Sequence, residues 1–401
     1  MKFLRLLFAV VGILFLSSSI ASVYNADPYA IAGGLTVVYA GVQYVKYLQG
    51  VPKGALFVDF APSLLVDAQA KFNEKFMSGE WRMPDVAAFQ VADKGEIANP
   101  GLASIRERED RSVFAYFPIR QAATNGVARA HNHTGARGDS QAVAINWVTF
   151  SEPYSISLKQ GDNNVFNFDE QFAATSRNAI FNLNNRIDEY FITQLLADKT
   201  QQNVGGGNGA FNGGTFDYEL AAGQLDFFYQ NVKAMMYQNL YRLPLIGIVD
   251  SVAKVNYDRI LNQGGGNATN LQFQLQGWEG VVQSTRQILA PGTYGNGSGI
   301  FFENGLTAMI PWIPKQNRKP LDPEKAMSFN GDYGQISIPE MGVNYAIHAY
   351  AERADNSANN GETQDLTMQF EISIDFAYAS APLSDFRGAN DSVVYTAGVL
   401  T

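Results

Sequence analysis

Three clusters of residues in this chain have the types that metal, adhesion or phosphate chemistry would use. His131-Asn132-His133 puts two imidazoles at i and i+2, on one face of a strand, where they could hold a metal ion. Such a site needs more ligands, and neither a carboxylate nor a third histidine is placed beside the pair, so a polar loop is the plainer reading. The three letters spell a nuclease motif, but that motif's residues are separated in sequence. Arg137-Gly138-Asp139 spells an adhesion tripeptide, yet Gly beside Asp is first of all a turn signal. The glycine runs at 205–214 and 264–266 are not followed by the Lys-Ser/Thr pair of a phosphate loop, and read as flexible connectors. No Walker loop, no G-x-G-x-x-G and no G-x-S-x-G elbow occurs. With no cysteine the chain has no thiolate nucleophile, no thiolate metal site and no disulfide, and only three histidines remain for acid–base work. Catalytic and cofactor-binding residues are therefore expected to be absent, and the chain is not expected to be an enzyme.

Charge points toward contact between protein surfaces. The net charge of -9 argues against a strong, sequence-independent grip on nucleic acid, which needs clustered Lys and Arg. Charged residues are sparse at 17% and aromatics plentiful at 12%, so much surface should be buried, some of it between subunits. The run 106–111 reads R-E-R-E-D-R, which is either a solvated face or one half of an ion-paired interface. Arg106, Arg108 and Arg111 in that run, with Arg120 and Arg137 beyond it, are the candidate intersubunit contacts.

The elements that must position these residues are legible in the periodicity. Val113, Phe114, Tyr116, Phe117 and Ile119 form a strand-like cluster, and a polar span rich in Gly and Ala follows to residue 141. Residues 110–150 read as a long protruding β-hairpin whose polar tip makes sense if it reaches a neighbour. Val143, Ile145 and Trp147 alternate, and after Pro153 the alternation resumes at Tyr154, Ile156 and Leu158. The period then changes. Phe172, Ala179, Leu183, Ile187, Phe191 and Leu195 recur mostly at four-residue steps, which predicts one helix over 169–198, roughly 45 Å long. Asn167 with Glu170 looks like its capping box.

Residues 217–340 read as an α/β subdomain. Leu220, Phe228, Val232, Met235 and Leu240 fall at helical steps, 245–249 is a strand buried on both faces, and Ser251 can cap a helix to Leu261. Leu271, Phe273 and Leu275 suggest another strand, and 300–312 a further one. The closing pair is the clearest β signal. Val343, Tyr345, Ile347 and Ala349 alternate, and so do seven apolar positions from Leu366 to Tyr378, which require cover from one side, by the 169–198 helix. Residues 50–100 lack a clear period and read as an extended arm with a short helix near 68–77.

At the amino terminus Lys2 and Arg5 precede an uncharged run from Leu6 to Ala26, with Ser19 and Ala21 where a cleavage site would want them. A second uncharged stretch over 28–45 leaves a transmembrane hairpin arithmetically open, although Gly33, Gly34 and Gly41 weaken it.

The order of arm, protruding hairpin, long helix, α/β subdomain and closing strand pair resembles the Hong-Kong-97-type major capsid proteins of tailed bacteriophages and the related encapsulin shells. The resemblance covers roughly residues 100–380 and rests on architecture, not on a residue motif. It implies an α+β fold with a hydrophobic amino-terminal segment and arm (1–100) and a hairpin, the E-loop (101–160), lying over an adjacent subunit. A β-rich peripheral domain with a spine helix (161–216 and 343–401) and an α/β axial domain (217–342) would follow. It further implies a structural role in a self-assembling icosahedral shell around double-stranded DNA, with hexamers and pentamers of this chain as the first partners. Portal or decoration proteins would be others, packaged DNA would be touched only weakly, and the protein would reside in the virion. Residues 1–26 are then expected to stay on the mature chain, packed under the shell or in contact with a membrane during assembly. The alternative is an exported or membrane-anchored surface protein with a signal peptide, which explains the amino terminus alone.

Overall fold

The computed structural model describes residues 74, 91, 105, 107–111, 114–118, 138–157, 168–199, 207–239, 241, 244–262, 275–326, 328–338, 342–354, 365–381 and 393–401. All lie in one compact unit, Pro62–Thr401. The apolar segments 1–26 and 28–45, the capping residue Asn167, His131, His133 and the hairpin tip lie outside the described residues, as does the helix near 68–77 except for helical Glu74.

The four-residue spacing yields a single helix, α1 (Phe168–Ala197), 30 residues long. Phe172, Leu183, Ile187, Phe191 and Leu195 are completely buried along one side, each stabilising the fold by about 1.5–3 kcal/mol relative to exposure. That side lies on the longest strand, β12 (Asp365–Ser380). Phe172 meets Phe370 edge-on at 5.2 Å, and Phe191 meets Tyr378 at 5.4 Å. From 172 to 191 a helix rises about 28 Å, and from 370 to 378 a strand advances about 27 Å. The helix therefore runs along the strand, so one stripe covers a whole strand face.

β12 is the centre of an antiparallel sheet in the order β10 (Asp332–Ile338), β11 (Val343–Ala354), β12, β3 (Trp147–Ser157), with β9 (Thr307–Trp312) pairing β12 beyond the end of β11. Met368, Phe370, Ile372, Ile374 and Phe376 are buried toward α1, as the alternation predicts. β3 has two working faces. Val148, Phe150, Tyr154 and Ile156 belong to the main core under α1, whereas Trp147 joins Val143 and Ile145 at a second, smaller core. Pro153 stands inside β3 opposite Glu371, tolerated because β3 is an edge strand of this sheet. Arg186 of α1 donates to the Ser151 carbonyl at 2.9 Å and pairs with Glu152 at 3.2 Å, which helps blunt that edge.

A second, six-stranded sheet has the order β4 (Ala210–Phe211), β5 (Tyr218–Leu220), β13 (Val394–Val399), β8 (Ser298–Glu303), β6 (Leu245–Val249), β7 (Trp278–Gln283). β6 is buried at all five positions between β8 and β7, as its unbroken apolar run demands. Two helices accompany the sheet, α2 (Phe228–Gln238) and α3 (Ser251–Asn262). The Tyr229 hydroxyl of α2 donates to the Ala253 carbonyl at 2.6 Å.

Several expectations are corrected. Asp250, not Ser251, caps α3, because its carboxylate accepts from the Ala253 N–H at 2.9 Å while also taking the Ser298 hydroxyl at 2.8 Å. Leu220 lies in β5 and not in a helix. Leu275 is helical and strand β7 begins three residues later, while Leu271 and Phe273 lie outside the described residues. Residues 300–312 form two strands, since Asn304-Gly305 turns the chain with Gly305 at φ 84°, and the two strands enter different sheets. The block 217–342 consequently feeds β5 to β8 into the six-stranded sheet and β9 and β10 into the other. The carboxy-terminal strand β13 crosses the opposite way, pairing with β5 and β8.

Candidate assembly surface

The first hairpin strand, β1 (Phe114–Pro118), pairs with β2 (Ser140–Ala144) and, among the described residues, with no strand of either large sheet. Phe114 lies opposite Ala144 and Tyr116 opposite Ala142. One face of this ribbon thus carries two aromatics beside two alanines. Phe114 is 50% and Tyr116 60% exposed, an unusual amount for rings of that size. The alternate residue Ala115 points the other way and is buried.

A lone two-stranded ribbon is marginal in water, so its base must rest on something. It rests on the smaller core, made of Ile105, Ala115, Ile145, Ala308, Ile310, Ala377 and Ala379, with Val143 and Trp147 at its edge. Ala377 and Ala379 alternate with Phe376 and Tyr378, so this pad occupies the face of β12 turned away from α1. Most of its members are alanines, and it offers a flat seat with little to interlock.

Polar groups gather at the edge of the pad, around Trp312 at the end of β9. The Arg318 guanidinium lies 5.8 Å and that of Arg111 5.7 Å from the Trp312 ring centre, and Trp147 meets the same ring edge-on at 6.5 Å. Arg318 donates through Nη1 to the Glu107 carbonyl at 2.7 Å, through Nη2 to the Arg108 carbonyl at 2.6 Å, and through Nε to the Ile313 carbonyl at 3.2 Å. Trp312 Nε1 donates to the same Arg108 carbonyl at 3.2 Å. Arg111 pairs at 3.4 Å with Asp375 of β12, and Glu109 pairs with Lys315. The hydrogen bond from Lys315 holds the Glu109 carboxyl below its ordinary pKa.

Of the five candidate arginines, Arg111 therefore engages its own chain through its side chain and Arg108 through its carbonyl. Arg106, Arg120 and Arg137 lie outside the described residues. Trp312, Arg318, Lys315 and Asp375 were not anticipated, since each stands some 200 residues or more from the segment it holds and no local pattern marks them. In the tripeptide, the Asp139 carboxylate accepts from the Ser140 N–H at 2.8 Å.

The other concentration of titratable groups is internal. Asp217 accepts from Lys199 at 2.6 Å, from the Thr396 hydroxyl at 2.5 Å and from the Tyr294 hydroxyl at 3.3 Å, and Tyr294 also donates to Glu219 at 2.8 Å. Burial, then these two carboxylates, push the Tyr294 hydroxyl well above its usual range. The network ties the end of α1 to β5 and β13, with its members satisfied by one another. Of the glycine run 205–214, Gly209 is tied down by the Tyr218 hydroxyl at 2.9 Å, and a Cβ there would lie 2.4 Å from the Tyr218 ring. Among the described residues no three His, Asp or Glu side chains could share a metal ion, and no helix is long and apolar enough to cross a membrane.

No protein-family model matches the chain, and no curated protein matches it in sequence. Among solved structures it is similar to a chain of Mycobacterium phage Che8, with a TM-score of 0.44 and 10% identity over 79% of this chain and 92% of that one. It is similar to a chain in the capsid structure of the cyanophage P-SCSP1u, with a TM-score of 0.38 and 11% identity over 72% and 84%. A chain of the virus-like particle from Pyrococcus furiosus gives a TM-score of 0.33 and 8% identity over 84% and 96%.

Proposed function

We propose that this chain is the major capsid protein of a tailed phage, with a Hong-Kong-97-type fold, assembling through rings of five and six copies into an icosahedral shell. The observation that carries the reading is the ribbon β1–β2, which stands outside both sheets, shows an aromatic face and is held at its base on a seat of its own. Directly after it come an edge strand and a long helix spanning a long-stranded sheet, which is a frame for transmitting contact and not a cleft for a substrate. The ribbon is the arm that lies on a neighbouring copy, and Arg106, Arg120 and Arg137 are its charged contacts there. The peripheral domain (161–216 and 343–401) is completed by β3, β9 and β10, and the axial domain (217–342) by β4 and β13. Portal and decoration proteins are further partners in the virion, and the net charge of -9 keeps contact with packaged DNA weak.

Light scattering and negative-stain microscopy of the purified chain test this. Closed shells of megadalton mass are expected. A monomer persisting across concentration and salt overturns the reading.

A further inference from the structure

We infer that Arg318 and Trp312 form a clamp that sets the direction in which the hairpin leaves the subunit. The inference rests on the reading of the ribbon as an intersubunit arm and adds what aims it. The pad under the ribbon consists mostly of alanines, whose small flat contacts resist separation but do little to resist rotation. Direction must then come from directional bonds. The segment 107–111, which leads into β1, is bound at two successive carbonyls by one planar guanidinium, and the second of these carbonyls also accepts from the indole of Trp312. Arg318 itself is fixed by its Nε bond to the Ile313 carbonyl and by lying on the Trp312 ring. Trp147, which starts β3 three residues after β2 ends at Ala144, meets the same ring edge-on. One indole thus meets the chain both where it enters the hairpin and where it leaves. Arg111, paired with Asp375, adds a second tie on the entering side.

Because the chain has no cysteine, single labels can be placed cleanly. Ala142→Cys on the ribbon and Glu189→Cys on α1, both exposed, carry a spin-label pair whose distance distribution reports hairpin direction in unassembled subunits. The parent should give one narrow peak. Arg318→Ala should lose it for a broad distribution, with an unchanged melting temperature and a loss of shell formation. Trp312→Phe, which keeps the ring and removes only the N–H donor, should broaden the peak less. Arg318→Gln, which keeps most of the side chain, serves if the alanine variant does not fold. An unchanged narrow peak in a folded Arg318 variant, or normal assembly despite a broadened peak, overturns the clamp. Replacing 120–140 by a Gly-Ser link separates the two ideas. If that change leaves assembly intact, the intersubunit arm is wrong, while the distance measurement still decides whether Arg318 fixes the ribbon.

Discussion

Replacing Phe114 and Tyr116 by serine should separate folding from assembly. A Phe or Tyr side chain carries about 150–250 Å² of surface, so exposures of 50% and 60% leave roughly 100 Å² uncovered on each ring. Covered by a neighbouring copy, at about 25 cal/mol per Å², that area contributes roughly 2.5 kcal/mol per ring and about 5 kcal/mol per hairpin. Each serine should weaken one intersubunit contact up to roughly sixtyfold. In the isolated subunit a serine gives up only the covered part of each ring, so by the same coefficient its unfolding free energy should fall by at most about 2 kcal/mol per ring. Chemical denaturation of unassembled subunits measures the second quantity, and the concentration threshold for shell formation by light scattering measures the first. An unchanged threshold would show that the ribbon's aromatic face is not an interface. A loss of assembly no greater than the loss of subunit stability explains would show that the rings belong to the subunit's own core.

Three further outcomes test the frame that carries the ribbon. Ile374→Lys should prevent folding, since a charge placed at a fully covered position costs several kcal/mol against a net stability of about 5–15, whereas Ser373→Lys on the other face should be mild; equal damage in thermal melts would refute the assigned faces. Tyr345→Phe should cost about 1–3 kcal/mol by leaving the buried Asn184 side-chain oxygen Oδ1 without its 2.7 Å donor, and combining it with Asn184→Leu should recover most of the loss; an additive double variant would rule out the bond. Burial raises the Asp198 carboxyl above its ordinary pKa, so its contribution is present in acid and is lost as pH rises through the folded value. Asp198→Asn keeps an acceptor for Tyr378 and removes an anion from the end of α1, and should raise stability at pH 7 by about 0.3–1 kcal/mol but not near pH 3; a loss at neutral pH would show that the charge is needed.

What the sequence alone determined is what local periodicity can encode. The spacing of Phe172, Leu183, Ile187, Phe191 and Leu195 marked α1 to within a residue at each end, and the alternation from Met368 to Phe376 marked both β12 and the face that α1 covers. The alternation of Val143, Ile145 and Trp147 ran across the end of the hairpin, since β2 stops at Ala144 and Trp147 already belongs to β3 of the main sheet. Partnership between distant segments was not visible. Nothing near residue 312 announces that its indole will hold residue 108, and nothing near 394 announces that β13 will insert between β5 and β8. The run 106–111 reads the same whether its charges meet water, a neighbour or Asp375, because charge spacing along a strand or loop carries no record of what lies across from it. Those pairings follow from which faces remain uncovered once α1 has taken its side of β12, and only the folded chain brings such faces together.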